Sequence, residues 1–112
     1  MRITLSDIKR HVCRHYDITR EEIEGHSRVR AFSRPRQIAM SISREMTNHS
    51  LPAIAGHFGD RDHTTALFAC QRIAALRKTD PLLDEDYSNL KWAIAYSMRE
   101  VIGVGWRHES VT

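Results

Sequence analysis

The chain is poor in the residues that staple, break or span. Its two cysteines, Cys13 and Cys70, are far apart and fall in different stretches of helical pattern. That spacing gives no CxxC metal or redox pair and no disulfide framework, and it fits two small, buried, reduced side chains in a cytoplasmic protein. Only five glycines and three prolines punctuate 112 residues, so there is no repeat, no low-complexity tract and no long linker. No apolar run approaches the length of a bilayer, and the opening MRITLSDIKRH lacks a signal-peptide core. Acidic residues are missing from one long stretch: between His26 and Arg44 there is no Asp or Glu, while Arg28, Arg30, Arg34, Arg36 and Arg44 all fall inside it. The formal charge of +3 is therefore concentrated rather than spread.

What is present reads as helix. Hydrophobic residues are 41% and charged ones 28% of the chain, the balance of a globular protein large enough to fold without metal or disulfide. Apolar residues recur at helical spacing, which predicts four to six helices joined by short loops. The first runs from about Ser6 to Tyr16, with Leu5, Ile8, Val12 and Tyr16 on one face. Thr19-Arg20-Glu21-Glu22 is a capping-box pattern that opens a short turn holding Ile23 and closing at Gly25, a residue suited to a left-handed cap. Ser33 is predicted to cap a third helix with Pro35 in its first turn; Ile38, Ile42 and Met46 form its buried stripe, and it ends near Asn48. Ser50-Leu51-Pro52 opens a very short helix ending at Phe58-Gly59, and Asp60 and Arg61 form a turn. Asp62 then caps a helix from His63 to about Lys78, with Ala66, Ala69, Cys70, Ile73 and Leu76 inward. Two helices joined by a few residues containing glycine are the helix-turn-helix pattern. The polar start of the second, His63-Thr64-Thr65, suits a helix whose first turn meets base edges in a major groove. Asp80-Pro81 starts a last helix carrying Leu83, Tyr87, Leu90, Ile94, Met98 and Val101. Residues 1–102 are expected to form one domain and residues 103–112 a mobile tail, with Trp106 able to pin it.

Three blocks carry a family resemblance. They are Ser33-Arg34-Pro35-Arg36-Gln37-Ile38-Ala39-Met40, then Thr47-Asn48-His49-Ser50-Leu51-Pro52-Ala53-Ile54, then Phe58-Gly59-Asp60-Arg61-Asp62-His63-Thr64-Thr65. Together, and with Tyr87-Ser88-Asn89-Leu90, they resemble the C-terminal DNA-binding domain of the bacterial replication initiator DnaA over roughly residues 5–95. The resemblance implies an all-α bundle with a helix-turn-helix and a basic loop, of the kind also seen in Trp-repressor-like folds. It implies binding of a monomer to a short AT-rich box in double-stranded DNA. Arg28 then takes the minor-groove position, and Asp62, His63 and Thr64 the base-reading positions. Arg30, Arg34, Arg36, Arg44, Leu51, Arg61 and Thr65 take positions along the phosphate backbone. The chemistry agrees with each assignment: arginine is drawn into a narrow AT-rich minor groove, Asp accepts from the cytosine amino group, and Thr or His meets a thymine methyl. The chain departs from the family at Asp60, which stands where a second glycine is common, and its basic loop is less densely charged.

Other chemistries are weaker readings. There is no GxxxxGK[ST] motif, so no ATP-binding module is expected, and no cofactor. His11, Cys13 and His15 lack further ligands nearby, so no metal is expected. Asp62, His63 and Thr64 are consecutive, diverge around a helix and have no oxyanion-hole motif, so no enzyme is expected and no catalytic residue is assigned. The strip from Leu83 to Val101 reads as core, although it and the apolar residues Ile102, Val104 and Trp106 leave self-association through the C-terminal helix open. Met1 and the extra tail suggest a free-standing protein located with the nucleoid in the cytoplasm, acting in replication control or transcription regulation. A protein-interaction adaptor that kept the fold without reading DNA is the alternative.

Overall fold

In the computed structural model, residues 3–102 are described, with the side chains from 98 onward excepted; the expected tail at 103–112, and with it Val104 and Trp106, lies outside them. Six helices follow one another: α1 (Leu5–Tyr16), α2 (Arg20–Glu24), α3 (Arg30–Met46), α4 (Leu51–His57), α5 (His63–Thr79) and α6 (Pro81–Ile102). Among the described residues there is no strand, and no helix is long and apolar enough to cross a membrane.

The starts of the helices follow from their caps. Thr4 and Asp7 form a capping box at α1, so this helix begins at Leu5 rather than Ser6. Thr19 and Glu22 form the expected box at α2, at 3.1 and 2.8 Å. The Ser50 hydroxyl accepts from the Ala53 amide at 3.3 Å at α4, with Pro52 in the first turn. Such caps are each worth about 1 kcal/mol. The third start differs from expectation. Ser33 is not a cap; α3 begins one turn earlier, because the Val29 carbonyl already accepts from Phe32 and Ser33. Pro35 is therefore inside the helix and leaves the Ala31 carbonyl without its partner at an exposed edge. The helix also ends earlier than Asn48, at Met46. The basic loop is shortened to His26–Val29, and Arg30 and Arg34 become the first two rungs of α3.

Ile8, Val12, Ile23, Ile38, Ile42, Ile54, Phe58, Ala66, Ile73, Tyr87, Leu90 and Ile94 form one continuous core. Cys13 and Cys70, expected to be buried, are only half-buried. α3 lies at its centre against α1 and α5, and α5 also packs on α4. α6 closes the core with Leu83, Tyr87, Leu90 and Ile94, so this part of the strip is core and not a free coiled-coil seam. Met98 and Val101 lie outside the described side chains. The Tyr87 hydroxyl donates to Glu45 at 2.8 Å and meets the Ser41 hydroxyl at 2.9 Å, which fixes α6 against α3. Lys9, almost fully buried, fixes α1 by donating to the Glu24 carboxylate and, at 2.7 Å, to the His57 carbonyl.

Candidate nucleic-acid interface

α4 and α5 are joined by Phe58–Asp62, a turn that reverses the chain sharply. Gly59 has φ +92 and Asp60 φ +54, both left-handed. A Cβ on Gly59 would collide with the Glu24 carbonyl oxygen, so glycine is required there by approach as well as by dihedral. Asp60 adopts the conformation that a second glycine would take with less strain. The turn closes with the Arg61 amide donating to the Ala55 carbonyl at 2.9 Å.

Two arginines tie this turn to the basic loop. α2 ends at Gly25 in an extended conformation (φ −71, ψ 179), not in the expected left-handed cap, so its last carbonyls need other donors. Arg36 supplies them from α3. Its Nε donates to the Ile23 carbonyl at 2.6 Å, Nη2 to Glu22 at 2.9 Å and Nη1 to Ser27 at 3.1 Å. Arg61 supplies the rest, donating to the carbonyls of Glu24 (3.0 Å), Gly25 and Phe58. Two planar guanidiniums, with their forked donors, thus do what a glycine cap does elsewhere. Burial, with the Arg61 charge beside it, pulls Arg36 down to about 10. Arg36 is 5% exposed. In this structure its donors serve the end of α2 and the loop, and it presents little surface to phosphate; the donors of half-buried Arg61 are likewise taken by carbonyls.

The remaining residues expected at the interface are on or near the surface. Arg28 and Arg30 are exposed, one in the loop and one opening α3. Arg34 is half-buried, donates to Gln37 at 3.2 Å, and is lowered by burial and then by the charges of Arg30 and Arg72. Arg44 is exposed on α3, Leu51 half-buried at the start of α4, and Thr65 exposed in the first turn of α5. Asp62 and His63 are exposed at the start of α5, and Thr64 half-buried. Asp62 holds the N-cap position, but its carboxylate does not bond the helix amides as expected. It accepts from the Thr64 hydroxyl at 2.6 Å, with the His63 ring nitrogen 3.2 Å away. The Thr64 hydrogen bond, then the His63 charge, hold the carboxyl below its usual value. An ionised acceptor and the Thr64 hydroxyl bonded to it are thereby presented together at the tip of α5.

Sequence reasoning missed the rest of the exposed face of α5. Thr64, Phe68 and Arg72 follow at four-residue spacing and so share one row, with Gln71 beside it. That spacing was legible; Phe68 and Arg72 lie beyond the signature that drew attention to the first turn.

Some cations are paired and others are not. Lys9 and Arg20 pair with Glu24, Arg10 with Asp7, Arg77 with Asp84 and Lys91 with Glu45. Among the described residues Arg28, Arg30, Arg34, Arg44 and Arg72 form no ion pair, nor do Arg14 and Lys78, while Arg36 and Arg61 are held by carbonyls alone. A helix-turn-helix beside an unneutralised basic loop, in an all-helical bundle, defines a helix-turn-helix of the DNA-binding class. The bacterial DnaA protein helix-turn-helix family model matches residues 5–73, and the chain belongs to that family. Relatives include the chromosomal replication initiator protein DnaA of Acinetobacter baumannii strains AYE and SDF. Each is 44% identical over 88 residues, covering 79% of this chain and 19% of the relative. The chain thus spans about a fifth of the length of those relatives.

Proposed function

We propose that the protein binds double-stranded DNA sequence-specifically at an AT-rich, DnaA-type box. In this reading α5 enters the major groove with Asp62, His63 and Thr64 toward the bases, and Arg28 enters the adjoining minor groove. Arg30, Arg34, Arg44, Leu51 and Thr65 lie along the phosphates, while Arg36 and Arg61 hold the loop and the recognition helix in one register. The role is in replication initiation control or transcription regulation, at the nucleoid in the cytoplasm, without ATP chemistry in these residues. The observation that carries the reading is the exposed, unpaired Arg28 and Arg30 in and beside a loop that Arg36 and Arg61 tie to the helix-turn-helix. Unpaired cations are what a polyanion with a condensed counterion layer recruits.

Fluorescence-anisotropy titration tests it, with a duplex carrying a DnaA-type box against a scrambled duplex at two salt concentrations. A salt-sensitive preference on the order of 10³-fold or more supports the reading. Equal, weak binding to both duplexes would overturn it and favour the adaptor alternative.

A further inference from the structure

Phe68 is 62% exposed, one turn beyond Thr64 on the outer face of α5. Of the five large apolar side chains exposed among the described residues, Val29, Leu67 and Phe68 all belong to the basic loop or the recognition helix. Core packing does not explain Phe68: the buried side of α5 is Ala66, Ala69 and Ile73, and Phe68 points away from it. Its neighbours along the row are a base-reading candidate, Thr64, and an unpaired cation, Arg72.

We infer that Phe68 is a specificity-determining residue that packs against the 5-methyl group of a thymine in the major groove. The inference rests on the major-groove placement of α5 and extends it by one helical turn. A helix rises about 1.5 Å per residue, so Phe68 is about 6 Å along the axis from Thr64. Base pairs are spaced by about 3.4 Å, which sets Phe68 one to two base pairs beyond the pair read by Thr64. Thymine is the one base whose major-groove edge carries a methyl group, and a phenyl ring is a suitable apolar partner for it. A protein partner would be a competing occupant for an exposed ring. The unpaired Arg72 on the same row of α5, with the unpaired Arg28 and Arg30 in and beside the loop tied to this turn, favours a polyanion instead. In such a setting phosphate contacts give affinity, and the row Thr64, Phe68 reads a short run of bases, with thymine required under the ring.

The test uses the full chain and its Phe68→Ala variant, which removes a mostly exposed side chain outside the core and should melt close to the parent. Bound duplexes are first selected from a pool randomised over a central block. Each thymine of the selected duplex is then replaced singly by deoxyuridine, which lacks only the methyl group. With the parent protein, one thymine next to the position sensitive to Thr64→Ala should cost about fourfold in affinity when so replaced, the worth of one buried methyl. With Phe68→Ala that penalty should vanish while penalties at other thymines persist. If a sequence is selected but no deoxyuridine penalty depends on Phe68, this inference falls and the DNA-reading function stands. If selection returns no preferred sequence, the reading of α5 falls and Phe68 with it.

Discussion

Arg36 and Arg61 are the residues whose place in the chain and place in the structure differ most in meaning. The family resemblance gives each a position along the phosphates, yet their donors are taken by backbone carbonyls of Glu22, Ile23, Ser27, Glu24, Gly25 and Phe58. Arg36→Ala should therefore destabilise the fold by about 2–4 kcal/mol, because three carbonyls lose a charged donor in a mostly buried setting. Arg36→Lys should rescue little of it, since one ammonium cannot match the three directions of the fork. Urea unfolding measures both, and an Arg36→Ala protein of parental stability would refute the tie. Arg28 is the contrasting case. Arg28→Ala should leave stability unchanged and weaken binding mainly at AT-rich sites. An equal loss on all duplexes would mean a plain phosphate contact. His57 adds a pH term. Its buried Nδ1 has no partner among the described residues, and burial, followed by the Lys9 charge, lowers its pKa. The unfolded chain then takes the proton first as pH falls, so the stability contribution is full above about 6.5 and declines below it, down through the lowered folded value. Chemical denaturation from pH 8 to 5 should show that decline, and His57→Gln should flatten it.

At the scale of the element, the turn between α4 and α5 is the part with least tolerance. Gly59→Ala sets a side chain at φ +92 against the Glu24 carbonyl and should cost about 2–3 kcal/mol. It should also loosen the basic loop, because Glu24 and Gly25 are where Arg61 holds it. Asp60→Gly is expected to act in the opposite direction, gaining up to about 1 kcal/mol by relieving a left-handed residue. It also removes a carboxylate beside Asp62, so DNA affinity should rise with stability; thermal melts and the same anisotropy titration give both values. The helices themselves were legible in their caps: Thr19 with Glu22, Ser50 with Pro52, and the apolar stripes of α1, α3 and α5. The start of α3 was not. Ser33 before Pro35 looks like a cap in one dimension. The helix nonetheless extends back to Arg30, where the tether on Ser27 from Arg36 holds the loop that enters it.

At the scale of the molecule, the unpaired arginines of the loop, of α3 and of α5 set the response to salt. If Arg28, Arg30, Arg34, Arg44 and Arg72 each meet one phosphate, the slope of log K against log salt is about −4 to −5. A slope near zero would mean that the protein does not bind nucleic acid through these groups. Removing Arg44 or Arg72 should reduce the slope by about 1 each, with little change in sequence preference.

The sequence by itself determined the fold class, the helix-turn-helix and the family, because periodicity, caps and three ordered blocks are local or collinear signals. It also marked most of the residues at the tip of α5, since a first helical turn is contiguous in the chain. Tertiary structure alone decided which basic residues are available to a ligand. Whether an arginine faces solvent or a row of carbonyls depends on what α2 leaves unsatisfied at its end, some dozen residues from Arg36 and nearly forty from Arg61. It also decided that α2 ends extended at Gly25 and not in a left-handed cap, because the donors that satisfy its carbonyls come from α3 and from the turn after α4.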